Sequence, residues 1–129
     1  MDHTAPDLRM YIVVRGDIDI PFGKLAPQAG HAFTNALEDA RLRTPERHAA
    51  YLGQGDPRHL TTGQTKIALR GKLADIDTLV AELAAAGIPH CLVQDEGRTV
   101  FPEPTVTCLA FGPITPDERP KKAKRLQLL

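Results

Sequence analysis

The sequence predicts an α/β fold of three layers, a mixed four-stranded sheet with helices on both faces. Three observations predict it. Short apolar runs rich in β-branched residues alternate with segments of helical periodicity. Two strand–helix–strand passages imply parallel neighbours with right-handed crossovers. A tight polar turn at Gln94–Thr99, followed by Pro102 and Pro104, joins the last two strands directly, which favours one antiparallel pairing. The 129 residues suit one domain over residues 1–129 with one core, its first eight residues loose.

Each element has its own signal. Arg9–Arg15 (RMYIVVR) is a short apolar run rich in β-branched residues and reads as a buried strand. Gly16–Phe22 connects it to a helix from about Lys24 to Ala40 or Arg43. Pro27 is acceptable there only in the first turn, where a residue has no helical partner for its N–H. Thr44-Pro45-Glu46 reads as a break and restart, Thr as cap and Pro at the first helical position, with the second helix running to about Leu52. Gly53–Gly63 has three glycines and a proline and reads as a loop, either a flap near a site or a plain connector. Thr65–Leu69 is the second strand. Ile76, Leu79, Val80 and Leu83 stand at helical spacing in Asp75–Ala86, and Gly87 supplies the stop. Pro89–Val93 and Val106–Phe111 are the third and fourth strands. Thr115 and Glu118 have capping-box spacing, but Pro120 keeps the last helix short, kinked or delayed. Leu126–Leu129 is an apolar end that packs somewhere.

Composition narrows the function. Sixteen basic and sixteen acidic residues balance, so no strong global pull on nucleic acid is indicated, though a local basic patch is allowed. No run approaches the roughly 18 apolar residues of a membrane span, and MDHTAPDLR is not a secretory leader. Cys91 and Cys108 are too few and too far apart for a zinc motif, so a reduced, cytoplasmic setting is the default. The five histidines show no ligand spacing, and His90 lies within a strand. There is no serine at all, which excludes a serine nucleophile, and neither common nucleotide fingerprint is present.

In sheets of this kind ligands gather at the carboxyl ends of the parallel strands. The first strand delivers the helix that carries Lys24, Gln28, His31 and Asn35 on one stripe, at roughly 100° per residue. Leu25, Ala29, Ala32, Phe33 and Ala36 form the packing face beside it. Lys24 stands at the helix's positive end, where it could hold a phosphate or meet a developing oxyanion. The third strand delivers Asp95, Arg98 and Thr99, with Asp95 able to orient or activate water. A solvated helix face and an ordinary turn explain the same residues without function. Arg119, Lys121, Lys122, Lys124 and Arg125 form the one concentrated basic run, suited to a phosphate backbone or to a solvated helix end.

Four segments in order resemble the type II peptidyl-tRNA hydrolase family: IVVRGDIDIPFGKLAPQAGHA (Ile12–Ala32), GQTKIAL (Gly63–Leu69), AAGIPHCLVQDEGRTVFPEPTVTCLAFGP (Ala85–Pro113) and the closing LQLL. The chain departs from the family pattern at Pro27, in the Gly53–Gly63 loop, in its neutral charge and at Pro120. The resemblance implies hydrolysis of the ester between a peptide and the tRNA 3′ ribose, with peptidyl-tRNA as partner and often a homodimer. It implies no metal or organic cofactor. It puts catalytic roles on Lys24, Asp95 and Thr99, with Gln28, His31, Arg98 and Thr107 near the site. Two other expectations use the same rim: a non-catalytic relative that binds RNA or protein, and a hydrolase of small ligands.

Overall fold

A computed structural model describes residues 6–53 and 55–129. The expected loose start lies outside the described residues for positions 1–5, and Leu8 is already buried. The order is β1 (Arg9–Arg15), α1 (Phe22–Arg43), α2 (Pro45–Leu52), β2 (Lys66–Gly71), α3 (Leu73–Ala86), β3 (His90–Asp95), β4 (Thr105–Ile114) and β5 (Gln127–Leu128). Two 3₁₀ turns, Pro116–Glu118 and Ala123–Arg125, replace a final helix.

The sheet runs β3-β4-β1-β2-β5 and has five strands where four were expected. The fifth is the apolar end: Gln127 and Leu128 pair antiparallel with Arg70 and Leu69. Two exposed residues carry no strand periodicity, so the sequence could mark only an end that packs. Its neighbour Leu126 does pack against the core. A second correction concerns neighbours. β1 and β2 are parallel partners, but β3 lies beyond β4 at the far edge. Since β4 is antiparallel to both β1 and β3, the strands β1, β2 and β3 still point the same way. Their carboxyl ends therefore share one edge of the sheet.

β1 explains the three layers. Met10, Ile12 and Val14 face α1, while Tyr11 and Val13 face α3, and all five are buried. A strand covered on both faces must be apolar throughout, as RMYIVV is. On one face α1 lays down Gln28, Ala32, Ala36 and Ala40, one per turn, small enough after Gln28 for close approach to the sheet. On the other, Ile76, Leu79 and Leu83 of α3 are fully buried, each worth about 2 kcal/mol relative to exposure. Gly87, at φ 68°, ends α3 in the left-handed conformation, and Ile88 N–H donates back to the Leu83 carbonyl.

Several boundaries move. α1 begins at Phe22 because the N–H groups of Lys24 and Leu25 both donate to the Pro21 carbonyl. Pro27 is thus the sixth helical residue, not a first-turn one, and the Gly23 carbonyl loses its i+4 partner at an exposed position. Thr44 stands at the N-cap of α2, as expected, and its carbonyl accepts the His48 N–H, but its side chain makes no cap bond there. Its hydroxyl donates to the Ala40 carbonyl and so closes α1. β2 extends to Gly71, β4 covers Thr105–Ile114, and β3 runs two residues further than expected, to Asp95. The described residues of the Gly53–Gly63 segment line a hollow of about 900 Å³ with the end of α2, and none of them lines the cleft described next.

Candidate active site

The carboxyl end of β3 meets the first turns of α1, and a cleft of about 360 Å³ opens there. It is lined by Lys24, Gln28 and His31 from α1, and by Asp95, Arg98 and Thr99 among others from the β3 end. The structure therefore brings together the two residue sets that the sequence placed on separate strands.

Asp95 is the centre. Its side chain is only 6% exposed, and its Oδ2 lies 2.5 Å from Lys24 Nζ. Gln28 Nε2 donates to the same oxygen at 3.2 Å. The other oxygen, Oδ1, accepts the Gly97 N–H at 2.8 Å. The Lys24 ammonium, joined by the Gly97 amide, holds the Asp95 carboxyl below the usual aspartate range. The group stays ionised and is a weak proton acceptor. Lys24, with 21% of its side chain exposed, also donates to Thr99 Oγ1 at 3.1 Å. The ammonium is thus aimed into the cleft between a carboxylate and a hydroxyl.

A buried relay stands behind this pair. Thr107, fully buried on β4, donates its hydroxyl to Gln28 Oε1 at 2.8 Å. With one end of the amide accepting from Thr107 and the other donating to Asp95, the Gln28 side chain has one orientation that satisfies both bonds. Among the described residues no buried side-chain nitrogen or oxygen lacks a partner.

The other expected residues divide. His31 lines the cleft wall and is exposed. Arg98 stands at the rim, its side chain 83% exposed and paired with Glu96 at 2.9 Å. Gln28 corrects the expected exposed stripe: it is buried, while Asn35 faces solvent and donates to the His31 carbonyl. The helix turns Gln28 inward toward Thr107, while His31 and Asn35 meet water and Lys24 is half-buried. Gly97 is the residue that sequence reasoning missed. Its φ is +80°, and a Cβ there would lie 2.2 Å from the Glu103 backbone. The Asp95-Glu96-Gly97 order carries the signal, since an Asp side chain commonly accepts the N–H two residues on. Asp95 is a turn residue and a cleft residue at once. Among the described residues, no three His, Cys, Asp or Glu side chains converge as metal ligands would.

Residues 8–129 match the family model described as peptidyl-tRNA hydrolase PTH2. A peptidyl-tRNA hydrolase of Methanopyrus kandleri is 37% identical over 122 residues, covering 94% of this chain and 97% of that one. A peptidyl-tRNA hydrolase of Haloquadratum walsbyi is 35% identical over 107 residues, covering 82% and 86%. The human mitochondrial peptidyl-tRNA hydrolase 2 is 34% identical over 125 residues, covering 95% of this chain and 64% of that protein. A solved structure from Agrobacterium tumefaciens, titled as a protein of unknown function, superposes with TM-score 0.54 at 13% identity over 95% of this chain and 98% of its own. That last likeness concerns the fold alone.

Proposed function

Because the chain belongs to the peptidyl-tRNA hydrolase PTH2 family, we propose that it hydrolyses the ester joining a peptide or N-blocked amino acid to the tRNA 3′ ribose, and that Lys24, Asp95 and Thr99 carry the reaction. The observation that supports this site is the Lys24 ammonium held between Asp95 and Thr99 in an open cleft.

The chemistry follows from what each group has left to give. Water adds to the ester carbonyl carbon, negative charge gathers on its oxygen, and the ribose 3′ oxygen leaves and takes a proton. A serine acyl-enzyme is not available to a chain without serine. Asp95 has both oxygens engaged by the protein and a depressed affinity for a proton, which favours an orienting over a proton-accepting role. Its work is to fix the ammonium. Lys24 then meets the oxyanion, and Thr99, accepting from Lys24, keeps its own O–H to donate to the same oxygen. Gln28 and Thr107 position Asp95 from behind. His31 on the cleft wall is placed to exchange a proton with the water or the leaving oxygen. Acting on this substrate, the enzyme would return tRNA to translation.

The test is incubation with an N-acetyl-aminoacyl-tRNA, following release of the acyl group. The wild type is expected to release it, and Lys24→Ala to lower kcat/KM by about 100-fold or more, the range for loss of one oxyanion donor. No release by the wild type, or equal rates for the variant, contradicts the reading.

A further inference from the structure

A second hollow lies on the same edge of the sheet as the cleft, at the carboxyl ends of β1 and β2, with a volume of about 330 Å³. Three cationic side chains line it: Arg70, Lys72 and Arg125. All three residues are exposed. Among the described residues none has a carboxylate within ion-pair distance. The two acids beside them are already engaged. Asp17 takes the Arg15 guanidinium on both oxygens, at 3.1 and 3.0 Å. Asp75 accepts the Lys72 N–H at 2.9 Å and meets Lys122 at 3.4 Å. The hollow thus carries three positive charges without an ion-pair partner, beside two acids paired with other cations, in a chain whose net charge is zero.

The arrangement is also shaped. Gly16 leaves room for the Arg70 stem, which lies where a Cβ would be, 2.4 Å from Arg70 Cγ. Gln127 Oε1 accepts from Arg70 Nη2 at 3.0 Å, so β5 holds the guanidinium over the hollow. The 3₁₀ turn Ala123–Arg125 brings Arg125 into the same lining. β3 and β2 are three strand steps apart, so the hollow lies about 14 Å along the edge from Asp95. That distance is within the reach of the single-stranded 3′ end of tRNA and the start of its acceptor duplex.

We propose that this hollow binds phosphates of the tRNA backbone while the 3′ ester occupies the Lys24–Asp95 cleft. The inference rests on the hydrolase reading for its ligand. Phosphates give affinity and register without base specificity, through cations and counterion release. The hollow thereby serves as a local basic patch in a neutral chain, and it draws Arg125 from the one basic run, for which the cleft has no role.

The experiment measures binding of deacylated tRNA to the full chain over a range of salt, for the wild type and for Arg70→Gln, Lys72→Gln and Arg125→Gln combined. The combined variant is expected to bind about ten-fold more weakly or worse at 0.1 M salt, with a slope of log K against log salt shallower by about 2 to 3. A variant of equal charge loss elsewhere, Arg41→Gln with Arg43→Gln and Arg58→Gln, is expected to leave the slope unchanged, since none of these residues lines the hollow. Should the combined variant fold poorly, Lys72→Gln alone is expected to cost about one unit of slope. Release of the acyl group from an N-acetyl-aminoacyl-adenosine, which carries no phosphate to place in the hollow, is expected to be unchanged. Unchanged affinity and slope in the combined variant, or an equal change in the matched one, overturns the proposal. If the wild type hydrolyses no ester yet the slopes separate as stated, the hydrolase reading falls and the phosphate site stands.

Discussion

Asp95 receives three donors from the protein itself: an ammonium, a side-chain amide and a backbone N–H. A carboxylate so occupied is a fixed negative charge. Its value to the site is the position it gives to Lys24, and Thr107 is the deepest support of that position. Thr107→Val keeps the shape but leaves Gln28 Oε1 buried without a donor, which costs about 1–3 kcal/mol. The expected outcome is a loss of that size in chemical denaturation, with kcat lowered several-fold and KM little changed. Wild-type stability and kcat together would remove the relay from the account. That Lys24, Asp95 and Thr99 stand near one another was legible in the sequence, because each follows a strand whose carboxyl end faces the same rim, while their proposed roles came from the family resemblance. Gln28 was legible as a position but not as a buried one, since periodicity places a residue on a face without saying how far the helix is turned.

At the scale of elements, strand and helix identities followed from pattern, and their ends followed from hydrogen bonds that pattern does not show. β3 reaches Asp95 because Gln94 and Asp95 continue the ladder against Val106 and Thr105 after an irregular step. α1 starts early because the Pro21 carbonyl accepts the first helical N–H groups. The link between α2 and the chain after β4 was not legible at all, since Arg47 and Glu118 are 71 residues apart. The Arg47 guanidinium, aided by the Thr115 N–H and hydroxyl, holds the Glu118 carboxyl down to about 2. A lowered folded value means the contribution is complete above the ordinary value of 4.5 and is lost as pH falls toward about 2. The pair is partly exposed, so its worth is no more than about 1 kcal/mol. Glu118→Gln is therefore expected to lower stability slightly at pH 7 and to match the wild type near pH 2, in urea melts at both. A deficit that persists unchanged in acid would assign the effect to packing instead.

For the whole molecule, the three layers were legible because β1 is apolar on both faces and the helices alternate with strands. The strand order was not, because nothing in α3 tells whether its crossover stops beside β2 or passes to the far edge. That order matters for function. It puts β3 beyond β4, so the β3 end meets α1 on one side of the β1 end, and the hollow of Arg70, Lys72 and Arg125 lies on the other. The candidate cleft and the cationic hollow thus share one edge, which suits a substrate with an ester at one end and a polyanion behind it.

The most direct measurement is a double-mutant cycle on Lys24 and Asp95, reading single-turnover hydrolysis of N-acetyl-aminoacyl-tRNA. If the carboxylate acts by holding the ammonium, Lys24→Ala and Asp95→Ala each slow the reaction by about 100-fold or more, and the double variant is about as slow as the slower single one. Losses that multiply, or a single variant that keeps the wild-type rate, would contradict it.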